Sequence, residues 1–300
     1  MRHLRHAGAS CVAAVTLFVA AAAYAEDPGK AATFAVGAQY TTTHVYVASE
    51  AFDAFVGSLV NVFGGATSPR GVFTVTPTAS KTISQLVLTP VGTLSVFGFL
   101  TPIPYPFGIE QTGYLVTDLD AAVRSAAAHG ADIVVAPFDD PIGRDAIVVW
   151  PGGVHTQLYW HTKPTDHAPL RSIPENRFYV SAERIDAFVR SFVGFSGGRV
   201  VADDAAAPGI EIGKPGETYR HVRVTSGFGN INVAATDGHL PYPFGRELTG
   251  YEVADLSETL AKAQNAGAKV LVSPYKSGER RSAILEFPGG YIAEIHAASQ

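Results

Sequence analysis

Cysteine is almost missing from this chain. Among 300 residues there is one cysteine, Cys11, and one methionine, Met1. A disulfide framework is excluded, and so is a thiolate-held metal. Charge is sparse too: 16% of residues are charged, with 22 Lys and Arg against 27 Asp and Glu, for a net charge of −5. No run of basic residues stands out, so a nucleic-acid partner is excluded, because phosphates need clustered cations. No apolar stretch reaches the roughly 20 residues needed to cross a bilayer. A phosphate-binding glycine loop, a dinucleotide fingerprint and a His-Glu-x-x-His pair are absent as well. What remains is an ordinary globular composition, 47% hydrophobic, with length for one large domain or two of usual size.

The beginning reads as a targeting segment. Arg2, His3, Arg5 and His6 precede a mostly apolar stretch from Cys11 to Ala23, and Ala23-Tyr24-Ala25 has the small-x-small cleavage pattern. Residues 1–25 are predicted to be a secretory signal peptide, so the chain is expected to be exported, to the periplasm or outside the cell. Cys11 would leave with that segment, so the mature chain holds no thiol.

The remainder repeats itself. Residues 104–120, PYPFGIEQTGYLVTDLD, match 241–257, PYPFGRELTGYEVADLS, at 12 of 17 positions with an offset of 137. Residues 44–60 match 177–193 at an offset of 133, so a four-residue indel lies between about 61 and 103 or between 194 and 240. Two domains are predicted, 38–163 and 175–298, joined by a linker at 164–174 that holds three prolines. Each half shows one rhythm twice. A β-rich run at Val45–Val47 precedes a helix in which Phe52, Phe55, Val56 and Leu59 recur at 3–4 spacing. Later Asp118 is placed to cap a helix at Leu119–His129, and Gly130 to end it. Strands follow at Ile133–Val135, Ala146–Trp150 and Val154–Trp160, with a Pro-Gly-Gly turn at 151–153. The order β-α-β-β-β, four times over, predicts an α+β fold with mostly antiparallel sheets.

This order resembles the vicinal oxygen chelate superfamily, which includes glyoxalase I, extradiol dioxygenases and bleomycin-resistance proteins. The residues that carry the likeness are VTDLDAA, GRDAIVVWPGG and QLYW, strongest over 112–160 and 249–297. The resemblance implies two glyoxalase-like domains, each built from two βαβββ modules whose curved sheets enclose a cleft. It also implies a divalent metal, Fe, Mn, Ni or Zn, held by His, Gln or Glu from the first and last strands of the modules. Carried over residue by residue, the first half offers His44 (with Thr41 and Thr42 as rivals in register), Gln111 and Gln157. The second half offers Arg177, Leu248 and Glu294, of which only Glu294 matches the ligand pattern. An imidazole with two amides is a weak, uncharged set. Arg177 beside Glu294 is expected to form a buried ion pair.

Strand alternation offers another ligand set. Glu294 and His296 share one face, and His221 lies in a β-rich stretch, so His221, Glu294 and His296 would make a two-His, one-carboxylate site. The candidate metal ligands are therefore His44, His221, Glu294 and His296. The repeated connectors, Tyr105–Glu110 and Tyr242–Glu247, put Tyr105, Phe107, Tyr242 and Phe244 at a cleft mouth, with Gln157 and Arg177 as further ligand-binding candidates. Glu110, Glu247 and Glu294 are the candidate proton-transfer groups. The alternative for the connectors is a rigid joint in which proline fixes φ and the aromatics pack inward.

Three functions stay open. The first is an exported metal-dependent lyase, isomerase or dioxygenase acting on a small oxygenated molecule. The second is a metal-free protein that binds or sequesters a small molecule, with degenerate metal positions. The third is an interaction module with unused clefts. One chain carries both clefts, so a monomer suffices for any of them.

Overall fold

The computed structural model describes residues 34–246 and 248–299. The expected signal peptide at 1–25 lies outside the described residues. The first half runs β1 (Thr42–Tyr46), α1 (Phe52–Phe63), β2 (Ala66–Thr67), β3 (Gly71–Phe73), β4 (Thr82–Thr89), β5 (Gly92–Phe99), β6 (Gln111–Leu115), α2 (Leu119–Ala128), β7 (Asp132–Asp139), β8 (Gly143–Trp150) and β9 (Val154–His161). The second runs β10 (Glu175–Ser181), α3 (Ile185–Ser196), β11 (Arg199–Pro208), β12 (Thr218–Ser226), β13 (Gly229–Thr236), β14 (Leu248–Glu252), α4 (Leu256–Asn265), β15 (Lys269–Ser277), β16 (Arg280–Glu286) and β17 (Ile292–Ala298). This is the expected α+β class.

Local chemistry sets the helix ends. Asp118 accepts a hydrogen bond from Ala121 N at 2.9 Å, and Asp255 accepts one from Glu258 N at the same distance, so α2 and α4 begin alike. Gly130 follows α2 with φ of 93°, a conformation that suits glycine.

Each half curls into one mixed sheet. The order is β2-β4-β5-β1-β6-β9-β8-β7 in the first, with β3 also on β4, and β11-β12-β13-β10-β14-β17-β16-β15 in the second. Two pairs in each are parallel, β1 with β5 and β6 with β9, then β10 with β13 and β14 with β17. The copies differ at one edge. Where the second half has the ten-residue β11, the first has two fragments, β2 and β3, flanking Ser68-Pro69-Arg70. The four-residue change in repeat offset falls here, between the first helix of each half and the strand that follows the edge.

The helices lie between the sheets. One core joins β6, α2, β8 and β9 to β10, α3, β12 and β13, with Tyr114 4.7 Å from Phe228 and Trp150 5.1 Å from Phe195 between ring centres. A second joins β1, α1, β4 and β5 to β14, α4, β16 and β17, with Phe55 5.7 Å from Tyr291. The first module thus packs on the fourth and the second on the third. This leaves the opposite face of each sheet free to form a cleft, and strand alternation sends every second side chain there.

Candidate functional site

The cleft of the first half is floored by β1, β6, β8 and β9. The ladder pairs His44 with Gln111 and sets Gln157 beside Gly113, so three polar side chains meet. His44 and Thr42 both line this cleft, and Thr41 does not. His44 Nδ1 lies 3.0 Å from Gln157 Oε1, and Gln111 Nε2 donates to that same oxygen at 3.2 Å. Gln157 Nε2 then donates to Asp145 Oδ2 at 2.9 Å. An amide oxygen can only accept, so in this assignment His44 carries its proton on Nδ1. Gly113 makes room for the arrangement: a Cβ there would lie 2.5 Å from His44 Nε2 and 2.6 Å from Thr42 Oγ1.

The floor carries little charge. Burial lowers the His44 pKa to about 4, so the ring is neutral at pH 7. Burial also pushes the Asp145 carboxyl well above the usual range; the nearby Asp140 adds to this, and the Gln157 amide opposes it. Over the floor lies a cavity of about 270 Å³, walled by Tyr46, Phe97, Phe107 and Tyr159 and roofed by Phe73 and the Asp140–Ile142 turn. The broken edge strand supplies part of that roof.

The second cleft uses the same positions differently. Arg177 pairs with Leu248 as His44 pairs with Gln111, and Glu294 stands beside Gly250 as Gln157 stands beside Gly113. Arg177 Nη2 lies 2.7 Å from Glu294 Oε2, and the carboxylate is fully buried. Burial alone would raise the Glu294 pKa, but the Arg177 guanidinium, helped by His296, holds it at about 2. The expected ion pair is present. Around it lies a cleft of about 570 Å³ lined by charged and apolar residues, in which Arg280 is paired with Glu175. Glu175 takes hydrogen bonds from Arg280 at 2.8 Å and Asn232 at 2.9 Å, and Glu211 takes them from Tyr219 and Ser277, both at 2.6 Å.

Neither donor set fits a divalent ion. His221, Glu294 and His296 do not converge: His221 Nε2 lies 3.1 Å from Asn232 Oδ1 and its Nδ1 faces Glu211 at 3.6 Å, while His296 lies 3.7 Å from a Glu294 that already holds Arg177. His44 has only amides beside it. Among the described residues no three His, Cys, Asp or Glu side chains are grouped to hold a metal.

The connectors divide. Phe107 is buried and lines the first cavity, and Phe244 packs near Leu248, Ile284 and Ile292. Tyr105 and Tyr242 point outward, 77% and 63% exposed. Glu110 lines a groove between the halves with His155, Tyr179 and Arg246, outside both clefts. Glu247 lies outside the described residues. Both Tyr-Pro bonds are cis. Arg144, which recurs as Arg281, is spent on Asp120 at 2.8 Å and Asp139 at 3.6 Å on the surface. Gly194–Gly198 has the spacing of a nucleophile elbow, but it ends a helix, and Ser196 is fully buried.

Several cleft residues escape a motif-based reading: Asp145, Tyr46 and Phe97 in the first half, and Asn232, Glu175 and Arg280 in the second. Strand alternation held a signal for Asp145, a carboxylate two residues before Ile147 on the inner face of an apolar strand.

No protein-family model matches the chain, and no curated protein matches it in sequence. Solved structures do match. A mutant of 4-hydroxymandelate synthase from Streptomyces coelicolor aligns with a TM-score of 0.59 at 14% identity, over 89% of this chain and 94% of that one. A xylose isomerase-like TIM barrel/4-hydroxyphenylpyruvate dioxygenase fusion protein gives 0.55 at 14%, over 91% of this chain and 51% of that one. The Mn(II)-bound glyoxalase from Novosphingobium aromaticivorans gives 0.51 at 14%, over 89% and 83%. The chain therefore has the vicinal oxygen chelate fold, as the resemblance implied. Among the described residues no helix is long and apolar enough to cross a membrane.

Proposed function

We propose that this chain is a metal-independent small-molecule-binding protein whose ligand occupies the first-half cavity. One observation carries the reading: at the three positions where the fold would place metal ligands, His44, Gln111 and Gln157 hydrogen-bond to one another and onward to Asp145. Neutral imidazole and amides hold a divalent ion poorly, but they are good orienting groups for a ligand's oxygen or nitrogen. The aromatic walls supply the apolar contact a small ligand needs. The second cleft gives the contrast, since a buried Arg177–Glu294 ion pair occupies the equivalent positions there. Export through the N-terminal segment, with the mature chain starting at Glu26, completes the proposal and would place binding outside the cytoplasm.

Metal analysis and thermal shift on the purified chain test it. The expected result is no stoichiometric metal and no rise in melting temperature on adding Mn(II), Fe(II), Ni(II) or Zn(II). Small-molecule hits should stabilise the fold, by about 2.7 kcal/mol at a hundredfold excess over Kd. They should be lost in Ser84→Trp, which fills the cavity. A metal that co-purifies one to one, or that raises the melting temperature, overturns the reading.

A further inference from the structure

The first-half cavity has charge of one sign only. Asp140 and Asp145 line it, and no Lys or Arg does among the described lining residues. Nearby cations are engaged elsewhere, Arg144 with Asp120 and Arg70 with Asp53. His44, His161 and His167 also face the cavity, and burial favours the neutral form of each. Asp145 is 7% exposed and has one oxygen on the Gln157 amide, while Asp140 Oδ1 accepts from Ile142 N at 3.0 Å. Thr42 Oγ1, buried on the same lining, makes no hydrogen bond of good geometry. Beside these groups the Tyr46 and Phe97 rings stack at 5.3 Å, with Phe107 and Tyr159 near them.

A buried carboxylate with no counter-charge is costly. Aromatic faces attract cations, most strongly where water is excluded. We propose that the ligand of this cavity is an organic cation: a protonated amine on an aromatic or aliphatic body, its nitrogen against Asp145 and Asp140 and its body against Tyr46, Phe97 and Phe107. The proposal rests on the reading of this cavity as the binding site. Asp145 would regain its charge by giving a proton to solvent as the ammonium enters, and the raised pKa of Asp145 agrees with a carboxyl that lacks its partner. A carboxylate or phosphate ligand would meet two acidic side chains, three imidazoles whose burial favours the neutral form, and no Lys or Arg among the described lining residues.

Three probes of matched size test it on the full chain by calorimetry at neutral pH: 2-phenylethylamine, 2-phenylethanol and phenylacetate. The amine is expected to bind at least about tenfold more tightly than the alcohol, as a charge-assisted contact requires, and phenylacetate most weakly. Asp145→Asn should abolish the amine's advantage over the alcohol. Asp140→Asn should reduce it, and carries the test if the first variant does not fold. If the alcohol or phenylacetate binds as tightly as the amine, or the amine is indifferent to both folded variants, the cation proposal fails while the cavity remains a binding site. If no probe binds at millimolar concentration, the binding reading falls as well.

Discussion

Glu294→Gln should destabilise the protein by several kcal/mol, although the two side chains have nearly the same shape. Glu294 is fully buried and Arg177 is 11% exposed, with 2.7 Å between their charged atoms. Removing one partner strands the other as a buried charge, which costs about 3–5 kcal/mol. An independent route gives the same size: holding the carboxylate near 2 instead of its ordinary value of about 4.3 corresponds to roughly 3 kcal/mol. The sign follows from the depressed pKa. This stability is present above the ordinary carboxylate range and lost as pH falls through about 2. Urea titration at pH 7 should show a lower midpoint with an unchanged slope. A thermal scan should show a drop of roughly 6–20 °C. The double variant Arg177→Met, Glu294→Leu should recover most of the loss, since an apolar pair of similar volume is often as stable as a buried ion pair. The reasoning is refuted if Glu294→Gln stays within about 0.5 kcal/mol of wild type, because Arg177 would then not depend on that carboxylate.

Other expectations follow from the same packing. His44 has its folded pKa pushed below its ordinary value, so it contributes stability above about 6.5 that is lost as pH falls towards 4, at most about 3 kcal/mol; His44→Gln should flatten that part of a pH–stability curve relative to wild type. Gly113→Ala should cost about 1–3 kcal/mol by chemical denaturation, because its Cβ would overlap His44 Nε2 and Thr42 Oγ1 and overpacking is costly; a neutral effect would mean that the cleft floor yields. Residues 34–163 produced alone should show no cooperative melt, since Tyr114, Trp150 and Phe55 bury themselves against the other half; a sharp transition in that fragment would refute the shared core.

The fold was legible because duplication wrote it twice. The apolar spacing of Phe52, Phe55 and Leu59, the Asp118 cap and the matched connectors each specify local structure without help from distant residues. The pairing of halves was not legible in that way. Nothing in a periodicity says whether Phe192 packs on its own sheet or beneath Tyr114, and the structure places it 5.9 Å from that ring. The site was half legible. His44 meets Gln157, and Arg177 meets Glu294, because strand register is fixed by face. Asp145 lies within the GRDAIVVWPGG segment, where nothing local marks it as a cleft group, and Asn232 comes from a strand with no motif; the curl of each sheet brings them to the clefts. The grouping of His221 with Glu294 assumed that two residues facing one cleft must meet; Asn232 and Glu211 take up His221 instead.

The two copies use equivalent strand positions in two different ways. A divalent ion organises its cleft by drawing several lone pairs to one point. In the second half Arg177 does this from within the chain, a fixed cation that gathers Glu294. Beside that pair Glu175 is held by Arg280 and Asn232. In the first half the position equivalent to Arg177 is held by His44. Gln157 instead joins the floor through its amide, accepting from His44 and Gln111 and donating to Asp145. That chain ends on a carboxyl with no counter-charge under aromatic walls. The two clefts thus present different groups on a shared backbone, a buried ion pair in one and a polar chain ending on Asp145 in the other, which is why they are expected to differ in what they bind.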